Sequence, residues 1–217
     1  MKKLIFTLSL GIQSLFFTSN VQAGLTIPMG LTKSDSIHTF PETLRRDFWE
    51  RLAIKAEAKG TATPIDEPNI GGNPTKFNYP VSSIVIGSKM KIVLGRAKGT
   101  VMVYSRLAED GSLKSLTLSN FAIDYVHQYV LADATYGKDK SNLQLPIFTF
   151  NIEKPLKFHY QFPIGFKSDE KLNHLYLTPQ AKIAYKEALA LPETAIPLLD
   201  LDFGTLTQNS SSKIRFN

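Results

Sequence analysis

The sequence predicts an α+β fold, in which an antiparallel, strongly curved sheet of about seven strands packs with an N-terminal helix and a shorter C-terminal helix. Three observations predict it. They are an apolar stripe of helical period near residue 50, a long run rich in Val, Ile, Tyr and Phe, and a second helical stripe near residue 185. Strands that follow each other through short turns pair antiparallel, so this order of elements favours α+β over α/β.

The N-terminal helix is predicted over Glu42–Lys59. Pro41 suits a first helical turn, where its missing N–H costs nothing, and Gly60 suits a C-terminal stop. The apolar positions recur every four residues, at Leu44, Phe48, Leu52 and Ala56. This stripe predicts the face that packs on the sheet. Residues 61–80 follow as a predicted long loop, because proline and glycine are dense there.

The β-rich part of the chain begins after Pro80. The predicted strands are Ser83–Gly87, Lys91–Gly95, Thr100–Leu107, Leu113–Leu118, Phe121–Leu131, Leu145–Ile152, Leu156–Phe162 and His174–Leu177. The first two are predicted to form a hairpin, since Ile84–Gly87 and Ile92–Gly95 have nearly the same pattern. A tight turn is predicted around Glu153-Lys154-Pro155.

The second helix is predicted to begin at Thr178-Pro179, a cap followed by a first-turn proline. Its apolar face is formed by Ala181, Ala184, Tyr185, Ala188 and Leu189. Pro192 ends it. Short strands at Leu198–Phe203 and Lys213–Phe216 are predicted to complete the sheet.

Residues 1–23 predict a secretory signal peptide. Lys2 and Lys3 precede a short apolar run over Leu4–Phe17, and Val21-Gln22-Ala23 offers small residues before a cut at Gly24. The sequence therefore predicts export across the inner membrane of a Gram-negative-type bacterium, to the periplasm or the medium. Residues 24–217 are predicted to form a single mature domain, and no later apolar run reaches the length of a transmembrane helix.

Composition excludes several chemistries. The chain has no cysteine, which excludes thiol catalysis, thiolate metal sites and disulfides. Lys2 and Lys3 leave with the predicted signal peptide, so the formal net charge falls from +6 to +4. This mildly basic balance fits an anionic partner, such as a polyanionic glycan or a lipid head group, and equally fits an ordinary soluble surface. No phosphate-binding loop is present, and export argues against nucleotide chemistry. We therefore expect no cofactor and no nucleic-acid partner.

Aromatic residues on predicted strands suggest a ligand site. If Phe121–Leu131 is one strand, then Tyr125, His127 and Tyr129 share a face. Phe158 and Tyr160 lie in the most aromatic stretch, residues 148–166. Together these five residues are the predicted lining of a cavity between the first helix and the curved sheet, although aromatic residues at such positions are often simply core.

Two further groups of residues are candidates for binding charged ligands. Lys89, Lys91, Arg96 and Lys98 cluster across the predicted hairpin and form a candidate anion-binding patch, or a charged sheet edge that discourages aggregation. Asp200 and Asp202 would project from one face of a strand and form a candidate metal site, or an exposed strand end.

No catalytic residue is assigned. The chain contains no G-x-S-x-G and no H-E-x-x-H, although triad members can also come from distant positions. The leading hypothesis is an exported, soluble, non-enzymatic protein that binds a ligand or a protein partner in the bacterial envelope or the extracellular space. The rival hypothesis is a secreted hydrolase acting on a glycan, lipid or peptide with carboxylate and histidine side chains.

Overall fold

The structure, a computed structural model, describes residues 25–28, 32–88, 91–137, 140–161 and 165–213. It is 58% strand and 18% helix, and its mostly antiparallel sheet forms a nearly closed barrel of 10–11 strands. The prediction of an α+β fold with about seven strands and a helix at each end is therefore wrong. Its antiparallel character is correct, but the number of strands and the share of helix are not.

Twelve strands form one sheet in the described parts of the chain. They are β1 (Leu25–Pro28), β2 (Thr32–Thr39), β3 (Lys55–Gly60), β4 (Thr63–Pro64), β5 (Lys76–Pro80), β6 (Ser83–Ile86), β7 (Ile92–Leu107), β8 (Leu113–Asp124), β9 (Tyr129–Tyr136), β10 (Lys140–Gln161), β11 (Gly165–Leu177) and β12 (Thr205–Lys213). The helices are α1 (Glu42–Leu44), which continues as a π-helix over Arg45–Glu50, α2 (Pro179–Ala188), and 3-10 helices over Ile70–Gly72 and Glu193–Asp200.

The barrel closes where β5 runs on into β6. Neighbouring strands pair in the order β7-β8-β9-β10-β11-β12-β2-β5, and β6 pairs back onto β7. Between β5 and β6, Val81 N donates to Ser34 O on β2 at 2.9 Å and Ser82 N donates to Arg96 O on β7 at 2.7 Å. Because successive residues of a strand present their N–H groups to opposite edges, this short link hydrogen-bonds to both neighbouring strands.

A circuit of aromatic rings fills one part of the interior. Centroid distances of 3.8 to 6.3 Å connect His38, Phe40, Trp49, Tyr104, Tyr185, Phe203 and Phe148, and the last ring lies 5.9 Å from the first. Trp49 comes from the π-helix and Tyr185 from α2, so both helical segments contribute to the barrel core. Such tilted and edge-on pairs add to the free energy gained from apolar burial.

The predicted helix over Glu42–Lys59 is wrong beyond Arg51. Leu44 and Phe48 are buried on the helix as predicted, but Ala53 has a positive φ of 51° and the chain then enters β3. Ala56 is buried on that strand, paired with Tyr104 of β7. A spacing of four residues also fits the period of two of a strand, so the stripe could not distinguish the two structures.

Two of the predicted strands and one predicted turn also need correction. The predicted strand Phe121–Leu131 is broken by a turn over residues 125–128, which separates β8 from β9. The predicted turn at Glu153–Pro155 instead lies inside β10, where the pairing with β11 shifts register on either side of Lys154. Leu198–Phe203 is the end of a 3-10 helix and a short coil.

The strands that the sequence pattern missed are polar. Within β2, β11 and β12, serine, glutamate and glutamine occupy several of the buried positions, at Ser34, Ser36, Ser168, Glu170 and Gln208. Prediction from hydrophobic alternation depends on apolar side chains at the inward positions, and here that signal is absent. The predicted loop over residues 61–80 likewise contains β4 and β5.

Two local predictions are confirmed. The β6–β7 hairpin forms, with Ser83 paired to Arg96 and Ile84 to Gly95. Helix α2 begins as predicted, with Thr178 Oγ1 accepting a hydrogen bond from Ala181 N at 3.1 Å. The predicted signal peptide over residues 1–23 and most of the predicted strand at Lys213–Phe216 lie outside the described residues. None of the helices in the described ranges is long and apolar enough to cross a membrane.

Candidate functional site

The inward face of three adjacent strands changes from apolar to polar along the barrel. The cross-strand rows on β11, β12 and β2 are Leu172–Leu206–His38, then Glu170–Gln208–Ser36, then Ser168–Ser210–Ser34. All nine residues are buried except Ser210, which is half-buried. Buried polar groups cost free energy unless they find partners, so a cluster of them inside a barrel is a candidate functional site. We call the second and third of these rows, together with Tyr125, the polar lumen.

Glu170, Tyr125 and Gln208 form a directed chain of hydrogen bonds. Gln208 Nε2 donates to the Tyr125 hydroxyl at 2.6 Å, and that hydroxyl donates to Glu170 Oε2 at 2.6 Å. Because the amide N–H can only donate, the tyrosine proton is directed at the carboxylate. Hydrogen bonds in such a chain polarise one another, which strengthens the bond that Glu170 accepts.

Among the described carboxyl groups, that of Glu170 has the most strongly shifted pKa. The residue is 3% exposed, and burial raises its pKa to about 7, although the hydrogen bond from Tyr125 acts in the opposite direction. Among the described residues, no donor is hydrogen-bonded to the second carboxylate oxygen, Oε1. Titratable groups with strongly shifted pKa values are enriched at functional sites.

A small cavity adjoins the polar lumen. Its volume is about 30 Å³, and the polar residues Ser36, His38, Arg96 and Gln208 are among those that line it. The remaining wall is mainly apolar, with Tyr79, Phe121, Ile123, Val130 and Phe148 among the lining residues. Such a volume holds one or two water molecules. As it stands, the cavity therefore accommodates a small chemical group next to the polar lumen.

His38 separates the polar lumen from the aromatic core. Its Nε2 lies 2.9 Å from Phe203 O, which fixes that nitrogen as the donor. Burial lowers the pKa of His38 to about 4, in spite of the hydrogen bond to Phe203, so the ring is neutral at physiological pH. It therefore adds no positive charge to the interior.

The structure separates the five residues predicted to bind a ligand. Tyr125 lies in the polar lumen. His127 is exposed in the turn before β9, where its Nδ1 lies 2.7 Å from Asp124 Oδ2, and Tyr129 is half-buried next to buried Val130. The backbones of Phe158 and Tyr160 pair with Ser168 and Phe166 at the end of β10, and their side chains lie outside the described part of the structure.

Two residues of the predicted anion-binding patch line a groove on the outside of the barrel. Lys89 is outside the described residues, and Lys91 is exposed just before β7. Arg96 and Lys98 line the groove, which has a volume of about 460 Å³ and is bordered by Leu143 on β10. Neither cation forms an ion pair with a described residue, so both remain available to an anion.

The floor of the same groove is a polar cluster around Asp133. Its carboxylate accepts hydrogen bonds from Asn120 Nδ2 at 2.8 Å and from Gln144 N at 2.9 Å. Burial opposes the charge of Asp133, but the hydrogen bonds from Gln144 and Asn120 lower its pKa. Asn120 and Gln144 have positive φ, and the β7–β8, β8–β9 and β9–β10 ladders all shift register nearby. The cluster therefore holds a bend that runs across four strands.

The two aspartates of the predicted metal site face different basic groups. Asp200 ends the 3-10 helix and pairs with Lys182, whereas Asp202 Oδ2 lies 2.9 Å from His174 Nδ1. Within the described ranges, no group of three or more His, Asp or Glu residues is placed to hold a metal ion. Metal binding by Asp200 and Asp202 stays a prediction.

Sequence reasoning missed Glu170, Gln208 and Ser36. Glu170 lies within Ser168-Asp169-Glu170-Lys171, where both faces of the strand are polar, so nothing in the local pattern marks one carboxylate as buried. Gln208 and Ser36 belong to equally polar segments. The one available signal was the length of these polar stretches between predicted elements, since long structureless connections are uncommon in compact domains.

Comparison with known proteins adds a fold relationship. No protein-family model matches the chain, and no curated protein matches it significantly. Among solved structures, the chain is similar to the C-terminal domain of HtaA from Corynebacterium glutamicum. The TM-score is 0.52 at 10% sequence identity, over 84% of this chain and 99% of that domain. At this identity the similarity establishes a common fold.

Proposed function

We propose that this protein is an exported binding protein of the bacterial envelope or extracellular space, and that it takes a small ligand in the polar lumen of the barrel. The observation that carries the proposal is Glu170, a buried carboxylate beside a cavity, one oxygen of which accepts no hydrogen bond from the described residues. A buried acid costs stability unless it is compensated. Retaining it in a barrel interior is expected where a ligand uses it.

Two further observations support an exported binding protein. The N-terminal segment has the charged start, apolar run and small-residue end of a signal peptide. The barrel resembles the C-terminal domain of HtaA, although that likeness concerns the fold. The absence of cysteine removes thiol chemistry from the possibilities.

The rival function, a secreted hydrolase, would need a nucleophile or an activated water. The two surface His–Asp pairs, His127–Asp124 and His174–Asp202, are its best available bases. Within the described residues, no serine or threonine hydroxyl is hydrogen-bonded to either ring. The binding proposal therefore accounts for more of the arrangement than a hydrolase does.

Native mass spectrometry of protein purified from its own host tests the proposal. We expect a non-covalent adduct that is lost under denaturing conditions and is weakened by Tyr125→Phe, which removes the donor to Glu170. Tyr129→Phe, a matched change outside the lumen, should leave the adduct intact. A ligand-free mass, combined with no thermal stabilisation by a panel of amines, sugars, fatty acids and peptides, would refute it. Turnover of any of these compounds would favour the hydrolase.

A further inference from the structure

We infer that the head group received by the polar lumen is a small organic cation with N–H donors, and that it pairs with Glu170 Oε1. This inference rests on the proposed function and names the chemical class of its ligand. A protonated amine that carries one or two carbon atoms fits best, because Ser36 and Gln208 also line the adjoining, mainly apolar cavity, whose volume is about 30 Å³.

The polar lumen presents several hydrogen-bond acceptors that have no donor among the described residues. Glu170 Oε1 has no donor among the described residues, and the hydroxyls of Ser36 and Ser168 form no hydrogen bond with any of them. The Ser34 and Ser210 hydroxyls are 2.5 Å apart and bond to each other. An ammonium group carries three donors and no acceptor, so a carboxylate with surrounding hydroxyl oxygens can satisfy all three.

The described part of the chain supplies no cation to Glu170. Among the described residues, none of the ion pairs within 4.0 Å includes this carboxylate. Lys154 of β10 pairs with Asp169, and Lys171 of β11 pairs with Glu153, both on the outer surface. Removing one partner of a buried ion pair leaves a costly unpaired charge, and here a ligand would supply the missing one.

The other charged and titratable groups that face this region do not change the conclusion. On β2, His38 is neutral because burial lowers its pKa to about 4. Burial raises the pKa of Tyr125 well above 10, so its hydroxyl stays protonated and continues to donate. On β10 and β11, Lys157 and Lys167 are exposed. Arg96 lines the cavity but forms no ion pair with Glu170.

The inference implies an exchange of a proton for the ligand. The pKa of Glu170 is about 7 in the free protein, and a bound cation lowers it because opposite charges favour the ionised form. Binding near neutral pH therefore releases a fraction of a proton. Since only the ionised carboxylate attracts the cation, affinity should fall about tenfold or more from pH 8 to pH 5.5.

The experiment compares three probes of similar size and different charge: ethylammonium, ethanol and acetate. Titration calorimetry at pH 7, in two buffers with different ionisation enthalpies, measures both the affinity and the proton released. We expect ethylammonium to bind at least tenfold more tightly than the other two, with proton release. Glu170→Gln should abolish both the preference and the release, whereas Glu153→Gln, which removes an exposed carboxylate from the neighbouring strand, should preserve them.

The outcomes separate this inference from the proposed function. A native adduct that is present while ethanol or acetate binds as well as ethylammonium overturns the cationic head group and leaves the lumen as a binding site. An ethylammonium affinity that is unchanged between pH 8 and pH 5.5 also overturns it, and this measurement needs only the wild-type protein. Absence of both the adduct and any probe binding refutes the proposed function itself.

Discussion

The side chain of Asn73 hydrogen-bonds to the backbone next to Ala56 in the way that a neighbouring strand would. Asn73 Oδ1 accepts a hydrogen bond from Ala56 N at 2.8 Å, and Asn73 Nδ2 donates to Ile54 O at 2.8 Å. The residue is 1% exposed, so water cannot replace either bond. A single amide thereby satisfies the backbone where the π-helix gives way to β3, a point at which neither helix nor ladder supplies partners.

Asn73→Ala should therefore lower the free energy of unfolding by about 2 to 4 kcal/mol, because it leaves a buried donor and a buried acceptor unsatisfied. Chemical denaturation measures the loss. Asn142→Ala, which truncates an exposed asparagine on β10, is the matched control and should change stability by less than about 0.5 kcal/mol. Equal effects of the two changes would mean that the Asn73 bridge contributes little.

Phe48 is the second test of packing. It is fully buried and lies edge-on to Phe203, with ring centroids 6.0 Å apart. Phe48→Ala should cost roughly 3–5 kcal/mol, as large-to-small changes in a core do. Arg46→Ala removes an exposed side chain two residues away and its surface ion pairs, and should cost less than about 0.5 kcal/mol. Similar losses for both variants would show that the buried face has been misassigned.

Glu170 and His38 give stability opposing dependences on pH. With its folded-state pKa near 7, Glu170 keeps a proton that the unfolded chain releases above about pH 4.3, so it makes stability fall as pH rises towards 7. His38 has a folded-state pKa near 4, so the unfolded chain alone takes up a proton below about pH 6.5. It therefore makes stability fall as pH falls towards 4.

We expect the wild-type free energy of unfolding to be nearly constant from pH 5 to pH 6.5, because the two slopes cancel. In Glu170→Gln only the histidine slope remains, up to about 1.4 kcal/mol per pH unit, so this variant should gain stability as pH rises over the same range. His38→Gln should show the opposite slope. Denaturation curves at half-unit intervals measure all three. Parallel curves for wild type and Glu170→Gln would contradict the assignment.

The candidate anion-binding patch makes a prediction about charge. Replacing Arg96 and Lys98 with glutamine should lower the salt concentration at which an immobilised, heparin-like polyanion releases the protein. The matched control replaces Lys154 and Lys171 with glutamine. It removes the same amount of positive charge, but from residues that are already paired with Asp169 and Glu153. The difference in polyanion binding between each double variant and the wild type should shrink as the salt concentration rises, since exposed charges are screened over about 8 Å at physiological ionic strength. Identical elution of the two double variants would remove this patch as a binding site.

Local chemistry made some features predictable from the sequence. Helix α2 was predictable because Thr178 and Pro179 satisfy its first turn and its apolar residues lie on one face. The β6–β7 hairpin was predictable because both strands carry the same short apolar pattern close together in the chain. The burial of Phe48 was predictable from the four-residue spacing of the apolar residues on either side of it. In each case the residues that form the predictive pattern lie within a few helical turns or one hairpin.

The strand at Ala56 and the position of Glu170 depended on tertiary structure. Ala56 fits a helical and an extended stripe equally well, and its pairing with Tyr104 of β7 selects the strand. Glu170 has exposed and buried neighbours of similar polarity, and only barrel closure places its side chain beside Tyr125, 45 residues away in the chain. The sequence by itself determined the elements whose partners are local. Tertiary structure decided which polar residues face inward, because that depends on contacts between strands far apart in the chain.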